Sequence, residues 1–235
     1  MKNTEINLNA MLTRTNNFGV AHAADFPATS KGGALFASIA AGVPKVGTAA
    51  AAQVSGGEAA KSGTDVKAIS FIWLHDDLMA IHETAITLAQ TTPGLDDKFR
   101  MPHNLTYGNV LPTARAFATD AAPLQADFIA CEMPADFLAQ LNTAITAFAG
   151  ATDTQSGGKG AKAKGTTGIS SNLQTAFQAV QGLDAIVKNK YRNDPATLAE
   201  WATARHVERT PRHAKPAPAP QPATTITQAL GKTNA

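Results

Sequence analysis

The residues of this chain best equipped for chemistry are three histidines with acids near them. In "FIWLHDDLMAIHETAITL", residues 71–88, His75 and His82 stand seven positions apart. At 100° per residue, Phe71, Leu74, Leu78, Ile81, Ala85 and Leu88 form one half of an apolar arc, and Ile72, Met79 and Ile86 extend the other. Both imidazoles fall near the middle of that arc, whereas Asp76, Asp77 and Glu83 point elsewhere. His22 shares a second stripe with Phe18, and Asp25 follows one turn on. Imidazoles from neighbouring helices hold metal ions or haem in helical bundles, and a carboxylate can orient the outer ring nitrogen. His22, His75 and His82 with Asp25 behind them therefore define a metal- or haem-binding alternative.

The spacing argues against it. His75 and His82 are roughly 10 Å apart along a helix, too far to share one ion. The chain has no Glu-x-x-His, His-Glu-x-x-His or Cys-x-x-Cys-His motif. Histidines bonded to carbonyls or hydroxyls inside a helical core explain the pattern without a cofactor, and none is expected. Cys131, the one cysteine, excludes an internal disulfide and reads as a small buried apolar residue. "GGKGAKAKG" lacks the Gly-Lys-Ser/Thr ending of a phosphate loop.

A basic cluster runs from Lys188 through Arg192, Arg205 and Arg212 to Lys215. Asp194, Glu200 and Glu208 dilute it, and with a net charge of +2 it does not make the case for nucleic acid. The N-terminus lacks the apolar core of a signal peptide, and no run is expected to span a membrane, so a cytoplasmic location is the default.

The elements that must position these residues are helices. Alanine dominates the apolar share, and β-branched or aromatic runs are scarce. Periodicity predicts helix A over 5–24, stopped by Pro27. Helix B is capped by Thr29 or Ser30, kinked at Pro44 and ended by Gly56-Gly57. Helix C starts at Thr64-Asp65 and ends at "TTPG". Helix D runs from about Pro112, and helix E from Pro134 to Gly150. Residues 152–168, "TDTQSGGKGAKAKGTTG", read as a mobile loop. Helix F follows with Ile169, Leu173, Ala176, Val180, Leu183 and Val187 as its stripe, and a last short helix is capped by Asp194 with Pro195 at its first position. No internal repeat is evident. Such helices pack as an all-α antiparallel bundle of about six, over residues 1–210, with helices A and C parallel and His22 and His82 towards one end.

The segments "NNFGVAHAADFPATSKGGALF", "PADFLAQL" and "LDAIVKNKYRNDPATLAEWATARHVERTPR" resemble uncharacterised bacterial all-helical proteins over residues 8–212. The resemblance implies a single helical domain and brings no activity, cofactor or binding residues.

The tail, residues 211–235, falls almost wholly outside it. "KPAPAPQPA" favours extended polyproline II, a stiff spacer, and "TTITQALGKTNA" offers Ile226 and Leu230 on one side of two short turns. A disordered or extended Pro/Ala-rich tail with an apolar tip resembles the layout of bacterial cargo proteins packed into protein shells. The chain is thus expected to be a structural or interaction protein rather than an enzyme. Ile226 and Leu230 would be the anchors through which it self-associates or engages a protein partner.

Overall fold

The computed structural model describes residues 1–208, and among these there is no strand. Two helices dominate: α2 (Lys31–Leu88, 58 residues) and α6 (Phe137–Lys190, 54 residues). At 1.5 Å per residue each runs for about 80–90 Å, and they lie antiparallel along their whole length. Around them sit α1 (Asn3–Ala21), α3 (Leu95–Lys98), α4 (Val110–Ala121), α5 (Gln125–Ala130) and α7 (Pro195–Ala204). The expected antiparallel helical bundle is the observed one.

The helix starts obey ordinary capping chemistry. Ser30 Oγ accepts from the Gly33 amide at 3.0 Å to open α2, and Asp194 accepts from Ala196 and Thr197 to open α7, with Pro195 next. Three boundaries expected from composition do not exist. The chain stays helical through Gly56-Gly57 and Thr64-Asp65, so helices B and C are one, and residues 152–168 belong to α6 rather than to a loop. α2 also continues through Pro44.

The reason is a seam of small residues at seven-residue spacing. On α2 it comprises Gly42, Ala49, Gly56, Gly63 and Ser70; on α6, Ala144, Ala151, Gly158 and Gly165. A Cβ added at Gly56, Gly63 or Gly165 would lie 2.5 Å from the backbone nitrogen of Lys162, Gln155 or Gln53. The two backbones touch there, and only glycine permits it. Gln53 Nε2 donates to Thr166 Oγ1 at 2.9 Å, and Gln155 Nε2 donates to Thr64 Oγ1 at 2.7 Å.

Those two bonds mirror each other, and the likeness extends through the chain at an offset of 102 residues. Gln53, Gly56, Gly63 and Thr64 correspond to Gln155, Gly158, Gly165 and Thr166; Ala24-Asp25-Phe26 corresponds to Ala126-Asp127-Phe128. α1 corresponds to α4, α2 to α6 and α3 to α7, and the buried Phe99 that follows α3 matches the buried Trp201 of α7. The chain is therefore a duplicated unit whose halves are related by an approximate two-fold through the middle of the helix pair. The expectation of no internal repeat is corrected: the repeat is carried by few identical residues, because only the backbone contacts at the seam demand identity.

Two apolar cores sit at the ends of this pair. One holds Met11, Phe18, Phe36, Ile39, Val180, Leu183 and Trp201; the other holds Leu74, Leu78, Phe99, Phe117, Phe128, Leu141 and Phe148. Each combines elements of both halves, since α1 and α7 share one end and α3–α5 the other. Between Val46 and Leu74 the buried residues of α2 are Gly56, Gly63 and Ser70, so the neck joining the cores buries no large side chain from that helix. α2 also contains an 18-residue window of mean hydropathy 1.4, of which 17% is buried. By length and composition alone α2 could cross a bilayer, contrary to the expectation that no run would.

Candidate interaction site

The three histidines do not meet. His22 is the C-cap of α1, half-buried beside the first core, its ring tilted 36° to that of Phe18 with centroids 4.4 Å apart. Its Nε2 lies 3.2 Å from Glu200 Oε2 and its Nδ1 3.9 Å from Asp25. Asp25 is itself held by the Tyr191 hydroxyl, which donates at 2.7 Å. Desolvation of the phenol, then this hydrogen bond, pushes the Tyr191 pKa well above its ordinary value.

His82 is at the other end. α1 packs beside Phe36 (Phe18 to Phe36, 6.3 Å between rings), and the 46 residues from Phe36 to His82 are about 70 Å of helix. The expectation that His22 and His82 share an end fails because helices B and C are continuous. His82 Nδ1 donates to the Phe99 carbonyl at 2.9 Å, the backbone satisfaction expected of a core histidine. Its counterpart in the second half, Asp184, serves the same purpose by accepting from Trp201 Nε1 at 3.1 Å. His75 is not in the core: it is exposed on the outer side of α2, 3.2 Å from Asp76. Ile72 and Ile86 are exposed with it, so only half of the apolar arc is covered. Among the described residues no group of three or more His, Cys, Asp or Glu is arranged to hold a metal ion. Cys131, the C-cap of α5, is half-buried.

Two surface features remain. The first is where the described chain ends. Arg14 donates to the His206 carbonyl and pairs with Glu208 at 3.5 Å, and Asn7 Nδ2 donates to the Glu208 carbonyl at 2.9 Å. Residues 206–208 are thereby held along α1. Ile226 and Leu230 lie outside the described residues.

The second was not anticipated. All the shorter helices cover one face of the α2–α6 pair, burying Ile39, Val46, Leu74 and Ile81 of α2 and Leu141, Phe148, Leu183 of α6. The opposite face is bare: Lys45, Val66, Trp73 and Ala80, with Gln140, Thr154, Ala161 and Thr175 across from them, are exposed. At its acidic end an open groove of about 450 Å³ is lined by Trp73, Asp76, Asp77, Asp136, Gln140 and Thr143. Trp73 is 55% exposed. Asp77 continues the small-residue seam after Ser70 and is half-buried; desolvation and the neighbouring Asp76 charge raise its pKa. The signal that could have revealed this groove is the seam itself, which fixes which side of each helix is covered.

The fold and its surfaces define an elongated, duplicated all-α scaffold. The chain matches no family model, no curated protein and no solved structure.

Proposed function

We propose that the protein is a structural or interaction protein, acting without catalysis, and that its C-terminal tail, residues 211–235, tethers it to a neighbouring subunit or partner. The observation that carries this reading is the anchorage of residues 206–208. A tether needs a fixed origin, and Arg14 and Asn7 of α1 supply one at the surface of the first core. From there the sequence continues into four prolines between Pro216 and Pro222, a composition that extends rather than collapses. The elongated scaffold is consistent with this role, because its two cores are separated by a neck suited to spacing. A location in the cytoplasm belongs to the same proposal.

The test compares full-length protein with a chain ending at Glu208, both by native mass spectrometry and by capture from the native host. Full-length protein is expected to carry additional copies or a defined partner that the shortened chain loses. Identical assemblies and partners for the two would refute the reading.

A further inference from the structure

The duplication supplies an internal control for what the fold requires. On the bare face, Val66, Ile69, Trp73 and Asp76 of the first half correspond to Gly168, Ser171, Thr175 and Gln178 of the second, 102 positions on. Both sets occupy the same place on equivalent helices, and both are largely exposed. The scaffold is served equally well by glycine and small polar residues there. An exposed tryptophan flanked by valine and isoleucine, with three aspartates beside it, is therefore surplus to folding. Such a patch, apolar and aromatic at its centre with charge at its rim, is what a docking surface requires.

The chemistry of the patch selects its occupant. Asp76, Asp77 and Asp136 surround Trp73 with no basic residue lining the groove, and the raised pKa of Asp77 marks a carboxylate that a cation would relieve. Residues 209–235 contain Arg209, Arg212, Lys215 and Lys232 and no acid. The stretch Arg212–Pro220 places basic residues directly before alternating prolines. Proline-rich segments in polyproline II dock on exposed aromatic rings, and flanking cations pair with acids at the groove's edge.

Reach decides whether the segment comes from the same chain. The Met1 amine bonds Gln53 at 2.9 Å and the Phe18 ring lies beside Phe36, so Asn7, and Glu208 with it, sit near the level of residue 47 of α2. From that level to Trp73 is about 39 Å along the helix, and the groove is on the opposite face of the pair. From Glu208 to Lys215 the chain spans at most about 25 Å fully extended. The basic and first proline residues cannot arrive at their own groove.

We infer that residues 209–222 of one molecule dock in the Trp73–Asp76–Asp77–Asp136 groove of a second copy. This rests on the tether reading and names a receptor for the basic, proline-rich stretch that precedes Ile226 and Leu230. The contact is heterologous, so copies join head to tail and either close into a ring or extend.

Sedimentation velocity over a range of concentrations tests it with four full-length or shortened proteins. Wild type associates with concentration. Trp73→Thr, which installs the residue that the second half already carries at Thr175, stays monomeric, as does the chain ending at Glu208. Mixing these two variants restores association, but only to pairs, because one has the intact segment and the other the intact groove. A synthetic peptide of residues 209–222 blue-shifts the fluorescence of the shortened wild-type chain and not that of its Trp73→Thr form, and added salt weakens the effect.

If Trp73→Thr associates like wild type while the shortened chain does not, the tether stands and the groove is not its receptor. If the shortened chain associates like wild type, the contact is between folded surfaces and the inference is overturned, as it is if wild type is monomeric throughout and the peptide leaves Trp73 unchanged.

Discussion

Gly158 and Gly160 lie two residues apart in one helix and should respond to the same substitution with opposite signs. Replacing a helical glycine by alanine reduces the conformational freedom of the unfolded chain and is worth up to about 1 kcal/mol in favour of the fold. Around Gly160 nothing lies within 4 Å of the added Cβ, so Gly160→Ala should keep that gain. At Gly158 the Cβ would collide with the backbone of Ala60 and lie 2.8 Å from the Gly56 carbonyl oxygen. Backbone atoms cannot rotate away, so α2 and α6 must separate at the neck. Overpacking of this kind costs roughly 1–3 kcal/mol. Separation also lengthens the Gln53–Thr166 and Gln155–Thr64 hydrogen bonds, each worth about 1 kcal/mol net. The propensity gain is outweighed, and Gly158→Ala should lose about 1–3 kcal/mol. Urea denaturation followed by helical circular dichroism, at a concentration where the protein is monomeric, reads both variants. Amide exchange in the neck adds local detail: Gly158→Ala should accelerate it around Gly56 and Gly63. Midpoints that move in the same direction by similar amounts would refute the idea that backbone contact holds the neck.

Acid should weaken the first core through Asp184. Burial alone would raise its pKa, but hydrogen bonds from Lys188 and Trp201, then the charges of Arg205 and Lys188, outweigh it and hold the carboxyl below its ordinary value. The stability it contributes is complete above the usual carboxylate range and is lost as pH falls through its depressed value; Trp201→Phe, which leaves a smaller aromatic ring and removes the donor, should shrink that acid-sensitive component in pH-dependent unfolding. Asp77 has the opposite sign. Its folded-state pKa is raised by burial and by Asp76, so it opposes folding above the carboxylate range and the penalty lifts as pH falls through the raised value. Asp77→Asn should therefore raise the urea midpoint at neutral pH, with little change at low pH, and an unchanged neutral midpoint would show that the carboxylate is already well solvated.

The all-α class, the caps at Ser30 and Asp194, and the Ile169–Val187 stripe in the second part of α6 were legible because they depend on chemistry within a few residues. The neck was not, for a related reason. Gly56-Gly57 and the stretch from Gly157 to Gly168 carry every local mark of a break or loop, since glycine disfavours an isolated helix. What offsets that cost is the other glycine-bearing helix, about 100 residues away in the chain. The histidines misled through the same blindness to partners. A helical wheel over residues 71–88 locates an apolar arc but not which part is covered, and α4 and its neighbours cover only the side of Leu74, Leu78 and Ile81. His82 is near that side and finds the Phe99 carbonyl; His75 is beyond it and faces solvent.

The seam also explains why the two halves diverge where they do. Along the line of backbone contact at the neck, even a single Cβ forces the helices apart, so Gly56 and Gly158, and Gly63 and Gly165, stay identical. At the ends, a plug must fill a fixed space but can be fastened in more than one way. Phe99 is held by a histidine reaching its carbonyl and Trp201 by an aspartate reaching its indole nitrogen. On the bare face neither constraint acts, and one half has Thr175 and Gln178 where the other has Trp73 and Asp76. Identity enforced by contact, substitution permitted by equivalent fastening, and asymmetry where nothing in the fold asks for it are three physical regimes on one scaffold. The third is where a role beyond folding would leave its mark, and it coincides with the acidic, tryptophan-bearing groove.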